Sequence, residues 1–418
     1  MAPLGGLVAL PVFLIDLDMT LLDTSALQAA RKQQEWDYVQ ANLHLARPFV
    51  LKPAQPAPHE VPGILRGLGH PVAIVTSSPD WYAKAVLANF GVKYDVLVAY
   101  GDTDQHKPHP APLQEALKRL GVAPSDAYYV GDAEEDFAAS YNAGVRSIGA
   151  GWNAAVEALY KKAPDICLYH PDLLTRPHLL PQLGYIAEVR MAGLNPLLHH
   201  GSILRCGPNT HALGRYYPKK DGRHATDQLT AQILELKDKD NRSAFFGSVL
   251  ASYVNALQVR PTYATCVPPK PSQTNRIRFA ATLAFMQPSV QGVTICPDGM
   301  YSLREVEDYK HTAPAARVAA VKDAFASKYT WDNKNVLLLD DVFTSGATSD
   351  ECARMLAANA ASHVQIVCFG VDQDPFVLHT CPYCNRVLKV YHRGYDGKPF
   401  WGCPGKFKDG CGYTTSYP

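Results

Sequence analysis

Four short apolar runs, Val12–Ile15, Val72–Thr76, Val96–Ala99 and Tyr128–Val130, punctuate the early part of the chain. Between them the apolar residues recur at helical spacing, as in Trp81–Asn89 and Pro112–Leu120. Short unbroken apolar runs fit strands buried on both faces. Strands that alternate with helices predict a parallel sheet covered on each side. The rhythm ends near Trp152. From about 156 to 200 the chain is irregular, with Pro171, Pro177 and Pro181 among His178, His199 and His200, which predicts a linker or docking segment. A second alternating region then begins. Thr226–Leu236, Ser243–Leu257 and Ser349–Ala358 read as helices, and Tyr263–Val267, Gly292–Cys296, Asn335–Leu339 and Val364–Gly370 as strands. The C-terminal stretch changes character to Cys, Gly, Tyr and Lys with short strands. The expected organisation is an α/β domain over 1–155, a linker over 156–200, a second α/β domain over 201–376 and a small ribbon over 377–418.

Composition narrows the class. The 418 residues are 47% hydrophobic and 19% charged, an ordinary globular balance. At about 150 residues per domain, this length suits roughly two to three domains. A formal net charge of +1 excludes a strongly basic nucleic-acid coat but leaves room for a local basic patch. Six of the ten cysteines (Cys167, Cys206, Cys266, Cys296, Cys352, Cys368) are scattered, and the other four cluster with metal spacing. That usage predicts a reduced, cytoplasmic setting. Met1–Ile15 is apolar but lacks a basic start and runs directly into Asp16-Leu17-Asp18, so a first strand is expected there rather than a signal peptide. No apolar stretch reaches the ~18 residues of a membrane helix, and no membrane partner is expected.

The first candidate chemistry follows the first strand. Asp16-Leu17-Asp18-Met19-Thr20 places two carboxylates two residues apart on a loop. One can attack phosphorus while the other moves the leaving-group proton. Carboxylates so close repel unless a cation intervenes, which implies magnesium. Thr76 ends the next strand, Lys107 precedes Pro108, and Gly131-Asp132-Ala133-Glu134-Glu135-Asp136 follows the strand at Tyr128–Val130. Each piece falls where an open α/β sheet builds its site. Over about 10–155 this set resembles the haloacid dehalogenase (HAD) phosphatase superfamily. The resemblance implies a Rossmannoid parallel sheet with a small helical cap between Thr24 and Val61, and Met19 stands where glycine is more usual. It further implies Asp16 as nucleophile, Asp18 as general acid/base, Thr76 and Lys107 as phosphoryl holders, and a magnesium site of Asp16, Asp18, Asp132 and Asp136.

A second signal runs from Val336 to Thr348. An apolar strand ends in Asp340-Asp341, and Thr344-Ser345-Gly346-Ala347-Thr348 leads into a helix. Backbone N–H groups of such a loop, with the helix N-terminus, form an anion nest. The motif resembles the phosphoribosyl pyrophosphate (PRPP) site of type I phosphoribosyltransferases. Over about 201–375 the chain looks like their ComF-type branch, through Ile233–Lys237 and Ala315–Phe325. The resemblance implies that Asp340 and Asp341 hold the ribose hydroxyls and metal, and that residues 344–348 cradle the 5′-phosphate. Lys270, Arg276 and Arg278 would contribute to a pyrophosphate loop, and Arg304, Lys310 and Arg317 to a mobile loop. The basic stretch is thinned to Asn275-Arg276-Ile277-Arg278.

Cys381-Pro-Tyr-Cys384, then Cys403 and Cys411, carry the spacing of tetrahedral zinc. So short a segment buries too little to fold alone. It resembles the C-terminal zinc ribbons of bacterial type I topoisomerases, which bind single-stranded DNA. Tyr391, Tyr395, Phe400, Trp401, Phe407 and Tyr413 alternate with Lys389, Arg393, Lys398, Lys406 and Lys408, the stacking faces and cations a single strand needs. A structural knob that docks on its neighbour fits the same residues.

Together these readings predict a bifunctional magnesium-dependent phosphate enzyme, a HAD-type phosphomonoester hydrolase joined to a PRPP-dependent phosphoribosyltransferase. The two would act in sequence on a nucleotide. The alternative is a PRPP- or nucleotide-sensing regulator or DNA-processing accessory whose ribbon binds single-stranded nucleic acid.

Overall fold

The computed structural model describes residues 10–51, 56–273, 277–306, 314–407 and 409–417. It divides into two compact units, the first reaching Gly184 and including His199–Gly201, the second taking Tyr185–Leu198 and the chain from Ser202.

In the first unit, six parallel strands are found among the described residues. They are β1 (Val12–Ile15), β2 (Val72–Val75), β3 (Val96–Val98), β4 (Ala127–Gly131), β5 (Arg146–Ala150) and β6 (Ile166–Leu168), in the order β3-β2-β1-β4-β5-β6. Every residue of β1 is buried. Because successive side chains in a strand point to opposite faces, Phe13 and Ile15 join one core with Ile74, Val130 and Ile148. Val12 and Leu14 join another with Val75, Tyr129 and Leu117. The helices are α1 (Gln28–Lys32), α2 (Trp36–Ala41), α3 (Val61–Gly67), α4 (Asp80–Asn89), α5 (Ala111–Leu120) and α6 (Glu134–Ala143). Helices α1 and α2 are the short helical elements expected between Thr24 and Val61, and Leu27, Ala30 and Val39 sink into the first core.

Of the two expectations for 156–200, a linker or a docking segment, its first part packs onto the first core as a docked segment does. Strand β6 continues the parallel ladder, with Ile148 opposite Ile166 and Ala150 opposite Leu168. Leu174, Leu180 and Leu183 bury in the first core. A three-residue strand among proline-led 3-10 turns offers no period to read, so burial here comes from tertiary packing. Helix α7 (Ile186–Met191) belongs to the second unit.

The second unit holds β7 (Leu204–Gly207), β8 (Thr210–Ala212), β9 (Arg215–Tyr216), α8 (Gln228–Asp238), α9 (Ser243–Ala256), β10 (Tyr263–Cys266), α10 (Ala280–Met286) and β11 (Thr294–Ile295). It continues with β12 (Met300–Ser302), α11 (Pro314–Val321), β13 (Phe325–Ser327), β14 (Asn335–Phe343), α12 (Ala347–Ala358) and β15 (His363–Asp372). The sheet runs β11-β10-β14-β15-β8-β7, with β9 also on β15, and only β7 antiparallel to its neighbour. Leu337, Leu339, Val367 and Phe369 meet Ile233 of α8 and Phe246, Val249 and Leu250 of α9. Strands β12 and β13 form a separate antiparallel pair. The tail adds β16 (Lys389–His392), β17 (Pro399–Gly402) and β18 (Thr414–Ser416), an antiparallel three-stranded sheet around Val390 and Trp401. No helix among the described residues is long and apolar enough to cross a membrane.

Candidate active site and metal centre

Parallel strands end at one edge, and three of the expected acids arrive there together. Asp16 leaves β1, while Asp132 and Asp136 follow β4, with Asp136 in the first turn of α6. The Lys107 ammonium reaches in from the loop before α5 and donates to Asp16 Oδ1 at 2.7 Å, Asp136 Oδ1 at 2.6 Å and the Tyr129 hydroxyl at 2.9 Å. Asp136 Oδ2 accepts the backbone N–H groups of Asp132 and Ala133. Gly131 makes this arrangement possible, since a Cβ there would lie 2.5 Å from the Asp136 side chain. Asp132 is held by the Thr20 hydroxyl at 2.9 Å and the Asn153 amide at 3.0 Å.

Burial sets the electrostatics. It raises the Asp16 carboxyl well above the usual carboxylate range, with Lys107 opposing and Asp136, Asp132 and Asp18 adding to the rise. Burial and then Asp136 push Asp132 up to about 7. Burial works against the charged form of Lys107, but Asp136 and Asp16 outweigh it and hold that ammonium protonated. Oxygens of Asp16, Asp132 and Asp136 lie within 4.8 Å of one another. Three carboxylates against one ammonium leave excess negative charge, which a hard divalent cation with oxygen preference neutralises, so these residues fit magnesium.

Asp18, expected as a fourth ligand, stands apart from this group. Its Oδ2 accepts from the Ser78 hydroxyl at 2.6 Å and pairs with Arg31 at 2.7 Å, and its Oδ1 accepts from the Tyr82 hydroxyl at 2.8 Å. Thr76 is buried at the end of β2, its hydroxyl accepting the Ser78 N–H. Met19, between the two aspartates, has φ of 62°, the left-handed conformation that favours glycine and explains why glycine is usual there. Sequence reasoning gave no role to Tyr129, Thr20, Asn153, Ser78, Tyr82 or Arg31. Of these, Thr20, Ser78 and Tyr129 stood inside or beside the segments that carry the motifs, and Asn153, Tyr82 and Arg31 carried no such signal.

At the second sheet the expected strand boundary moves. Strand β14 continues to Phe343 because β15 stays paired with it as far as Val371, so Asp340 and Asp341 lie within the strand. Thr344 and Ser345 are exposed, and Gly346 caps α12 with φ of 78°. A side chain at Gly346 would press on Phe343 at 2.8 Å and Asp350 at 2.9 Å. Thr348 lies in the first turn of α12, after Ala347. Asp340 Oδ1 accepts the Asp341 N–H, and Asp341 Oδ2 pairs with Arg278 at 3.1 Å. Burial, then Asp372 and Asp341, push the Tyr216 hydroxyl up to about 12, a neighbour the sequence did not flag. Lys270 is exposed on the loop leaving β10, the strand beside β14. Arg304 does not stand over this loop as a spare cation, since it donates to the carbonyls of Ala320 and Lys322. Arg317 lies in α11, while Arg276 and Lys310 fall outside the described residues.

The four C-terminal cysteines come together. Cys381 and Cys411 sulfurs lie 3.6 Å apart, and those of Cys384 and Cys403 lie 3.4 Å apart. Four thiolates tetrahedral about zinc at about 2.3 Å would sit about 3.8 Å apart, so the set fits that ion. Asn385 and Gly410 take positive φ in the two knuckles. Of the expected stacking aromatics, Trp401 is buried in the ribbon core and Tyr395 is exposed; of the expected cations, Lys408 lies outside the described residues. The ribbon packs on its own unit: the Val390 N–H donates to the Lys219 carbonyl at 2.7 Å, the Lys219 ammonium lies over the Tyr391 ring, and Ala225 joins the ribbon core.

Residues 59–150 match the profile of the haloacid dehalogenase-like hydrolase family. Phosphoglycolate phosphatase of Pectobacterium atrosepticum is 36% identical over 24% of this chain and 44% of its own length. That of Escherichia coli is 34% identical over 29% of this chain and 48% of its own. The chain thus spans about half the length of the curated relatives it matches. A crystal structure of a HAD phosphatase from Thermococcus onnurineus aligns at 21% identity over 34% of this chain and 86% of that one, with a TM-score of 0.28. The N-terminal region is a HAD-like domain, carried on an α/β fold with a parallel sheet.

Proposed function

We propose that the first unit hydrolyses phosphomonoesters with magnesium. The carrying observation is the Lys107 ammonium shared by Asp16 and Asp136, with Asp132 alongside. Lys107 holds Asp16 Oδ1, leaving Oδ2 to attack phosphorus as the bond to the ester oxygen breaks. Asp18 gives that oxygen its proton, and then takes a proton from the water that cleaves the aspartyl phosphate. Asp16, Asp132 and Asp136 would hold magnesium, which supplies charge neutralisation at the phosphoryl oxygens. The names of the curated relatives put phosphoglycolate among the small esters to try first. The test is phosphate release from such an ester by wild type and Asp16→Asn, whose amide cannot act as nucleophile. Unchanged release by the variant would refute the reading.

The second unit supports a PRPP-binding reading through Asp340, Asp341 and the short Thr344–Gly346 turn into α12. On this reading a phosphoribosyl product would be dephosphorylated by the first unit, with the ribbon as a zinc-bound module. The packing of Val390 and Ala225 favours a docked structural ribbon over one held out for single-stranded nucleic acid. Incubation with PRPP, magnesium and a nucleobase panel, with pyrophosphate and free phosphate measured separately, separates turnover from sensing.

A further inference from the structure

The Tyr129 hydroxyl has no role in the chemistry above, yet it sits against the ammonium at its centre. A lysine ammonium carries three N–H donors and accepts nothing. All three donors of Lys107 have partners: Asp16 Oδ1 at 2.7 Å, Asp136 Oδ1 at 2.6 Å and the Tyr129 hydroxyl at 2.9 Å. The first two acceptors are carboxylates and the third is neutral. Burial strengthens the Coulomb attraction to the carboxylates, so the bond to the hydroxyl is the one most easily given up. Tyr129 is fixed in place. It stands on β4, its ring is fully buried in the core shared with Leu14 and Val75, and its oxygen lies 3.0 Å from Asp136 Oδ1 and 3.1 Å from the Val75 carbonyl. Its one proton can serve either acceptor, so the hydroxyl stays satisfied whether or not Lys107 bonds to it.

A phosphoryl group under attack by Asp16 Oδ2 brings its oxygens beside that ammonium, because Oδ1 and Oδ2 share one carbon. Those oxygens are negative and need donors. Lys107 has none to spare, so a phosphoryl oxygen must displace one of its three acceptors. We infer that Tyr129 is a positioning residue that holds the third N–H of Lys107 until substrate binds and then yields it to a phosphoryl oxygen. An ammonium suits the exchange, since it is a compact charge on a flexible stem and a small shift of its head changes one partner. Asp16 and Asp136 keep their bonds, so Oδ1 of the nucleophile stays held. The inference rests on the phosphatase reading and adds what regulates that site's affinity for phosphate. The hydroxyl competes with phosphate for one donor, which holds affinity down and helps the product leave.

The test is Tyr129→Phe, which keeps the ring and removes the oxygen. Tyr128→Phe is the control, because Tyr128 packs on the other core, across β4. Titration calorimetry with inorganic phosphate and magnesium, phosphate release from a small phosphomonoester, and a melting curve are run on wild type and both variants. In Tyr129→Phe the third N–H has no acceptor until phosphate arrives. Phosphate should therefore bind about 2- to 10-fold more tightly, the worth of one hydrogen bond. KM should fall by a similar factor with little change in kcat, because bound substrate and transition state gain alike. Tyr128→Phe should leave phosphate affinity unchanged. A hydroxyl that merely supports Lys107 predicts the opposite sign, since the ammonium would loosen and phosphate would bind more weakly. Weaker or unchanged binding by Tyr129→Phe would overturn the inference. So would failure of that variant to fold, or an equal change in Tyr128→Phe. Each of these leaves the phosphatase reading standing where wild type hydrolyses the ester. A wild type that neither binds phosphate nor hydrolyses the ester would remove both.

Discussion

The Lys107 ammonium donates to Asp136 Oδ1 at 2.6 Å while it holds Asp16 Oδ1 at 2.7 Å. One buried cation therefore fastens the end of β1 to the first turn of α6. Its side chain is 8% exposed and that of Asp136 3%, so solvent screens the pair little.

Lys107→Met should destabilise the first unit by about 3–5 kcal/mol in chelator, because removing one partner of a buried pair strands the other. Magnesium should restore part of that loss by supplying the missing positive charge. Denaturant unfolding with and without the metal checks both points. A loss identical in the two buffers would argue against a cation among these carboxylates.

Gly131→Ala should cost about 1–3 kcal/mol by overpacking, since the new Cβ would overlap Asp136 at 2.5 Å. Displacing Asp136 also moves Lys107, and misplacement on that scale can cost roughly 100-fold in turnover. Gly67→Ala is the control, because a Cβ there meets nothing within 4 Å. If the two variants behave alike in melting and phosphate release, the close approach at Gly131 is unimportant.

Cys403→Ser should lose zinc and loosen more than the ribbon. With Ala225 in the ribbon core and Val390 bonded to Lys219, slower hydrogen exchange over 219–225 should depend on the metal. Metal content and exchange, with and without a chelator, give the answer. Full retention of metal by the variant would exclude the four-cysteine centre. Unchanged exchange over 219–225 would show that the ribbon leaves its neighbour unaffected.

Asp341→Asn should weaken magnesium-dependent PRPP binding by about tenfold or more, since it removes a charged acceptor beside the Thr344–Gly346 turn. Titration calorimetry on the full chain reads this directly. No binding by wild type would set aside the PRPP reading of the second unit.

Much of the first site was legible because the motifs fall after strands. Asp16, Thr76 and Asp132 follow β1, β2 and β4, and parallel neighbours bring such positions to one edge whatever the loops do. The cysteine spacing was equally readable, because a tetrahedral ion constrains ligand number and turn length. Strand β6 was not legible. Its three residues are too few to show a period, and the irregular turns around it concealed that their leucines belong to the first core.

By itself, the sequence determined which residue types stand at which strand ends, since hydrophobic periodicity reports burial and chain order reports connection. Only the tertiary structure decided which charge meets which. Asp16 and Asp18 are two residues apart, yet Asp16 takes Lys107 and Asp18 takes Arg31, Ser78 and Tyr82. Adjacent loop residues point their side chains in different directions, and the groups that receive them come from distant elements. Periodicity fixes a residue's depth in the fold and carries no information about its partner.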